Sequence, residues 1–120
     1  MQLDNTRIYQ RALELIDFVK QILSKLPTGY GFLQDQLRRA SSSVVLNFAE
    51  GYAKPSLKEQ RRFFAIARGS ASEVCAIFDV AHRFGLISND EHRYAKDLSD
   101  HIVRMLVIFR TPETRVFEER

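Results

Sequence analysis

The sequence predicts an all-α fold, built as an up-down-up-down antiparallel four-helix bundle. Three observations predict it. Apolar side chains recur every three or four residues through four long stretches, and nowhere do they alternate with a period of two. The three prolines, Pro27, Pro55 and Pro112, all fall between those stretches or after the last of them. The joints are only a few residues long, which forces consecutive helices to run in opposite directions.

The first stretch runs from about Thr6 to Leu26, with Ile8, Ala12, Leu15, Ile16, Val19, Ile22, Leu23 and Leu26 at a helical period, and Pro27-Thr28-Gly29 stops it. The second runs from Gly31 to Tyr52, with Leu33, Leu37, Ala40, Val44, Phe48 and Gly51 in line, and ends at Ala53-Lys54-Pro55. Ser56 and Glu59 then form a capping-box pair, in which the Ser56 hydroxyl accepts from the Glu59 amide and the Glu59 carboxylate reaches back. The third stripe is Phe63, Ile66, Ala67, Ser70, Val74, Ile77, Ala81 and Phe84. Gly85 follows as a left-handed stop, with Leu86 folding back on the last turn. A second capping pair, Ser88 and Glu91, opens the fourth helix, whose stripe is Ala95, Leu98, Ile102, Met105 and Phe109 and which runs to Thr111-Pro112.

A chain of 120 residues fits one domain, expected over residues 1–112, with a frayed polar tail at 113–120. Hydrophobic residues at 45% and charged residues at 28% suit a globular chain rather than a disordered one. The single Cys75 excludes an intramolecular disulfide and a cysteine-based zinc site. The opening residues lack the basic and apolar regions of a secretory leader, and no apolar run reaches the roughly 18 residues a membrane span needs. A cytoplasmic protein without a membrane partner is expected.

No catalytic, cofactor or metal signature stands out. His82, His92 and His101 have no second ligand at metal spacing, and the Asp79-x-x-His82 pair is solitary where a di-iron bundle needs repeated Glu-x-x-His pairs. There is no glycine-rich phosphate loop. No Arg precedes a His by the four to six residues that small helical nucleases often use. The expectation is a protein that is not an enzyme.

Three features exceed what a lone bundle needs. Helix 1 carries a second apolar row, Tyr9, Leu13 and Ile16, and helix 4 is apolar almost all round from Ile102 to Phe109. Such surface has to be covered, so self-association is expected, or docking of another protein on helices 1 and 4. Polar Asn47, Glu50, Ser70 and Glu73 fall on or beside apolar stripes, with Gly69 placed to let backbones approach. They read as a buried hydrogen-bonded network between Asn47 and Ser70 that fixes register, or as a ligand or subunit contact. Net charge is only +3, yet Lys54, Lys58, Arg61, Arg62 and Arg68 face a single acid, Glu59, within fifteen residues. Arg38 and Arg39 would flank them if helices 2 and 3 are neighbours. That cluster is a solvated face, or a phosphate-binding surface for RNA or DNA that a ring of copies would amplify.

The stretch Gln36-Leu37-Arg38-Arg39-Ala40-Ser41-Ser42-Ser43-Val44, continued by Asn47-Phe48-Ala49-Glu50-Gly51, resembles the 23S rRNA-intervening-sequence protein family. So do Arg62-Phe63-Phe64-Ala65-Ile66-Ala67-Arg68-Gly69-Ser70 with Glu73, and the earlier Tyr9-Gln10-Arg11-Ala12. The similarity covers the chain from about residue 6 to residue 110. It implies a four-helix bundle commonly assembled as a ring of five, a pentamer. The family includes proteins encoded inside ribosomal RNA intervening sequences, and also accessory proteins of diversity-generating retroelements. The latter are strongly basic barrel-like pentamers that engage nucleic acid and a reverse transcriptase, so nucleic acid and a reverse transcriptase are the partners the resemblance implies. Arg38, Arg39, Asn47, Glu50, Gly51, Ser70 and Glu73 stand on family motif positions, to which no catalytic role attaches. The charge of +3 departs from the strongly basic members.

Overall fold

Four helices carry most of the described residues: α1 spans Arg7–Leu23, α2 Gly31–Tyr52, α3 Leu57–Arg83 and α4 Asn89–Ile108. The computed structural model describes residues 3–109, so the expected tail at 113–120 lies outside the described residues. A three-residue 3-10 turn, Leu3–Asn5, precedes α1 and tucks Leu3 onto the core. Three residues are too few to carry a period, so no sequence pattern marks it.

Side-chain pairs between helices give their directions. Ser43 meets Ser70 and Arg39 meets Glu73, so α2 and α3 run antiparallel. Asp79 meets Lys96 while His82 meets Asn89, which sets α4 against α3. Arg11 meets His101 and Lys25 meets Glu91, which sets α1 against α4. Direction therefore alternates along the chain, as short joints require, and α1 packs on both α2 and α4 to close the bundle. The α2–α3 interface is the most extensive and the α3–α4 interface comes next.

Caps fix the helix starts. Thr6, Ser56 and Ser88 each accept an amide from the first turn of their helix. Only Ser88 completes the reciprocal box, with its own amide donating to Glu91 at 2.8 Å. Glu59 instead reaches back to the Ser56 hydroxyl, at 3.5 Å. α3 closes on Gly85 at φ 74°, where the Gly85 and Leu86 amides donate to His82 and Ala81. α1 ends at Leu23, three residues before the expected Leu26, because Pro27 has no N–H for the Leu23 carbonyl and its ring would clash there. α4 likewise ends at Ile108, four residues before Pro112, and Phe109 turns to extended backbone. Phe109 still packs inward, on the rings of Phe48 and Phe64 at 5.2 and 5.5 Å.

The inward line of α3 is shifted from the expected one. Phe64, Ala71 and Phe78 are buried; Phe63 is half-buried, and Ile66 and Phe84 are 42% and 55% exposed. The expected line contained Phe63, Ser70, Ile77 and Phe84, a strict seven-residue repeat. A straight helix drifts about 20° per heptad from that repeat, so its two ends rotate out of the core.

Candidate nucleic-acid interface

The break at Pro55 and the cap at Ser56 start α3 just ahead of its basic residues, and Lys58, Arg61, Arg62 and Arg68 all lie exposed on it. Two flanks can be told apart. Ser70 and Glu73 contact α2, while Asp79 contacts α4. Arg62 precedes Glu73 by eleven residues, and Arg61 and Arg68 precede Asp79 by eighteen and eleven, which are all whole turns or nearly so. Arg62 therefore leans to the α2 side, and Arg61 and Arg68 to the α4 side.

Lys54 belongs to the same cluster but is engaged, with Nζ 3.2 Å from Glu50 and 5.2 Å from the Phe63 ring centroid. The Arg62 guanidinium lies 4.5 Å from that ring. Half-buried, Phe63 is thus a support for two cations. Arg38 pairs with Asp35 at 3.6 Å, and Arg39 with Glu73. The pair with Glu73 holds Arg39 eleven residues along α3 from Arg62, roughly 16 Å at 1.5 Å per residue. Helices 2 and 3 are neighbours as expected; Glu73 holds Arg39 five residues along α3 from Arg68, and Arg38 and Arg39 each have a carboxylate beside them.

Beside this surface, Asn47 and Ser70 are joined through a third residue. Asn47 Nδ2 donates to the Ser43 carbonyl at 3.0 Å and to Ser43 Oγ at 2.9 Å, and Ser43 Oγ lies 2.7 Å from Ser70 Oγ. Ser70 is buried and Asn47 half-buried. Ser43 was missed although its spacing of four from Asn47 put both on one face. Glu50 is not in this network, because its side chain is exposed and tied to Lys54. Nor is Gly69 the point of close approach; a Cβ built there meets nothing within 4 Å. That point is Gly51, where a Cβ would come within 2.7 Å of Phe64 Cε1 and 2.9 Å of Phe63 Cβ.

A second polar cluster joins the far ends of α3 and α4. His92 Nε2 lies 2.7 Å from one Asp79 oxygen and Lys96 Nζ 2.9 Å from the other, and the His82 and His92 rings stack at 4.1 Å. The His92 hydrogen bond, then Lys96, holds the Asp79 carboxyl below its ordinary value, and the same bond to Asp79 raises Lys96. Hydrogen bonding from Lys25 and from the Ser88 amide lowers Glu91. Between α1 and α4, Arg11 Nε donates to His101 Nδ1 at 3.2 Å. Burial, followed by the charges of Arg11, Arg7 and Arg104, pushes the His101 imidazole down. Among the described residues no group of three His, Cys, Asp or Glu side chains could hold a metal ion, and no helix is long and apolar enough to cross a membrane.

The exposed apolar residues are not confined to α1 and α4. α1 offers only Leu13 at 40%, with Tyr9 and Ile16 half-buried, while α4 offers Tyr94 at 46%, Val107 at 51% and Ile108 at 76%. α2 adds Phe32 and Leu46, and α3 adds Ile66 and Val80. The register set by Ser43 and Ser70 places Leu46 and Ile66 at one level.

The model of the 23S rRNA-intervening sequence protein family matches residues 4–107. A crystal structure of a protein of unknown function from the S23 ribosomal protein family of Bacteroides thetaiotaomicron superposes with a TM-score of 0.77. The two share 18% identity over 83% of this chain and 94% of that one, a likeness of fold. No curated protein matches the sequence.

Proposed function

The chain belongs to the 23S rRNA-intervening sequence protein family, and on that footing we propose that it is a self-assembling, non-enzymatic bundle that binds nucleic acid through phosphates. The observation that carries this reading is the exposure of Lys58, Arg61, Arg62 and Arg68 together on half of one helix, with Glu59 the only acid in the same stretch. The nearby carboxylates of Glu50 and Glu73 are already paired, with Lys54 and Arg39. Arginine's planar fork bonds two phosphate oxygens at once, which suits such a face. Self-assembly is supported by the exposed Leu46, Ile66, Val107 and Ile108, more apolar surface than α-helices of a solitary bundle usually leave in water.

Fluorescence anisotropy of a labelled nucleic acid across a salt series tests the reading. Affinity should fall steeply with salt, and Arg61→Glu with Arg62→Glu should abolish binding while helicity is kept. Salt-independent binding, or full binding by the double variant, rejects it.

A cluster at the far end of the molecule favours a second reading, an adaptor that docks a protein partner. Phe32 and Phe84 are 52% and 55% exposed there, and the Tyr30 ring lies 6.2 and 5.9 Å from theirs. Loss of a partner on Phe32→Ala with Phe84→Ala, with nucleic-acid binding unchanged, would select it.

A further inference from the structure

α1 and α2 leave a cavity of about 460 Å³ along their seam, within the range that small-molecule ligands occupy. On α1, Ile16, Val19 and Leu23 stand three and four residues apart and form its apolar floor. On α2 the wall is made by Ser41 and Ser42, side chains too short to close the seam. Two cations stand at the rim, Lys20 from α1 and Arg38 from α2, and no carboxylate lines the cavity. Lys20 is exposed and makes no ion pair among the described residues. Arg38 has Asp35 3.6 Å away with both side chains exposed, a pair of the kind that contributes little in water. Other polar groups are already engaged. The Ser24 hydroxyl donates to the Gln21 carbonyl and the Ser41 hydroxyl to that of Leu37, each inside its own helix. No aromatic ring is among the lining side chains.

We propose that this cavity binds a free alkyl carboxylate, with its chain laid on Ile16, Val19 and Leu23 and its head group between Lys20 and Arg38. Charge selects the head. Two cations facing no acid favour an anion and oppose a cationic amphiphile. The head group displaces Asp35 from Arg38 and takes charge-assisted hydrogen bonds from both cations, and the exposed Ser42 hydroxyl can donate to it as well. The floor selects the tail. Ile16 to Leu23 is seven residues, roughly 10 Å of surface, on which a sugar would bury hydroxyls that find no partner. A nucleotide base or an aromatic acid has no ring to stack on. The site shares no side chain with the exposed cations of α3, so its occupancy is independent of phosphate binding there.

Isothermal titration of the full chain with decanoate, decyltrimethylammonium and acetate, each below any micellar concentration, tests this. Decanoate should bind at least about tenfold tighter than decyltrimethylammonium, which carries the opposite charge, or acetate, which lacks the chain. Lys20→Gln with Arg38→Gln should weaken decanoate about tenfold or more. Ser42→Leu, which fills the seam, should do the same. All three positions are exposed, so helicity should be kept in both variants. Equal binding of decyltrimethylammonium overturns the proposal, as does wild-type affinity in either variant or a failure of decanoate to bind. If Ser42→Leu instead lowers the sedimenting mass, a second copy covers the seam and the carboxylate assignment falls.

Discussion

Gly51 shows what one hydrogen atom in place of a methyl group does here. α2 and α3 approach so closely at this point that a Cβ would sit 2.7 Å from the Phe64 ring, and Phe64 is itself stacked on Phe48 at 5.4 Å. The ring cannot retreat without disturbing Phe48 and Phe109, so Gly51→Ala should cost about 1–3 kcal/mol despite alanine's better helix propensity, read as a lower urea midpoint. His101 makes a different prediction. Its imidazole is held below the ordinary value of 6.5, so the unfolded chain binds this proton more readily than the folded one. The stability it confers is complete above pH 6.5 and is lost as pH falls through the lower folded-state value. His101→Gln keeps an acceptor for Arg11 without titrating, and should flatten the pH dependence of unfolding in that window. Asp79 and Glu91, also lowered, act below the carboxylate values of 3.8 and 4.5 and leave this window untouched. Neither residue's role was legible in the sequence. Gly51 was placed on the right stripe, but that a ring would lie against it depends on the rotation of α3, and His101 gained its partner Arg11 from ninety residues away.

At the scale of elements, what the sequence states locally it states well. α2 begins and ends at the expected residues, and α3 and α4 begin after the expected serines, because caps and prolines act within one turn. The inward line of α3 was not equally legible, since a seven-residue repeat and a true helical period agree over two turns and diverge over 27 residues. The basic site divides in the same way. Lys58, Arg61, Arg62 and Arg68 could be grouped by spacing, whereas the place of Arg39 beside Glu73 needed the register of α2 on α3. The caps also rank the helices. Ser88 satisfies an α4 amide and has its own amide satisfied by Glu91; Ser56 lacks that second bond. Ser88→Ala should therefore cost about 1–2 kcal/mol and Ser56→Ala about 1 kcal/mol or less, measured by thermal unfolding of the two single variants.

At the scale of the whole molecule, the exposed apolar side chains bear on how copies would assemble under the proposed reading. A two-fold dimer joins one patch to its own equivalent, whereas a ring joins two different patches head to tail. Leu46 and Ile66 lie toward the α2 side of α3, and Val107 and Ile108 at the end of α4, on its other side. Two separate patches suit the head-to-tail arrangement. Sedimentation should then give a mass several times 13.9 kDa. Leu46→Gln with Ile66→Gln, and independently Val107→Gln with Ile108→Gln, should each reduce it to that of one chain. A mixture of the two variants should recover a pair and stop there, because each member retains the patch the other lacks. If only one of the variants dissociates, the contact is two-fold and no ring forms. Assembly, as proposed, would also set the salt dependence of the proposed nucleic-acid binding. The four α3 cations of one subunit give a slope of at most about −3.6 in log affinity against log salt. A ring that lays several subunits on one nucleic acid should exceed it, and either dissociated variant should fall back to it.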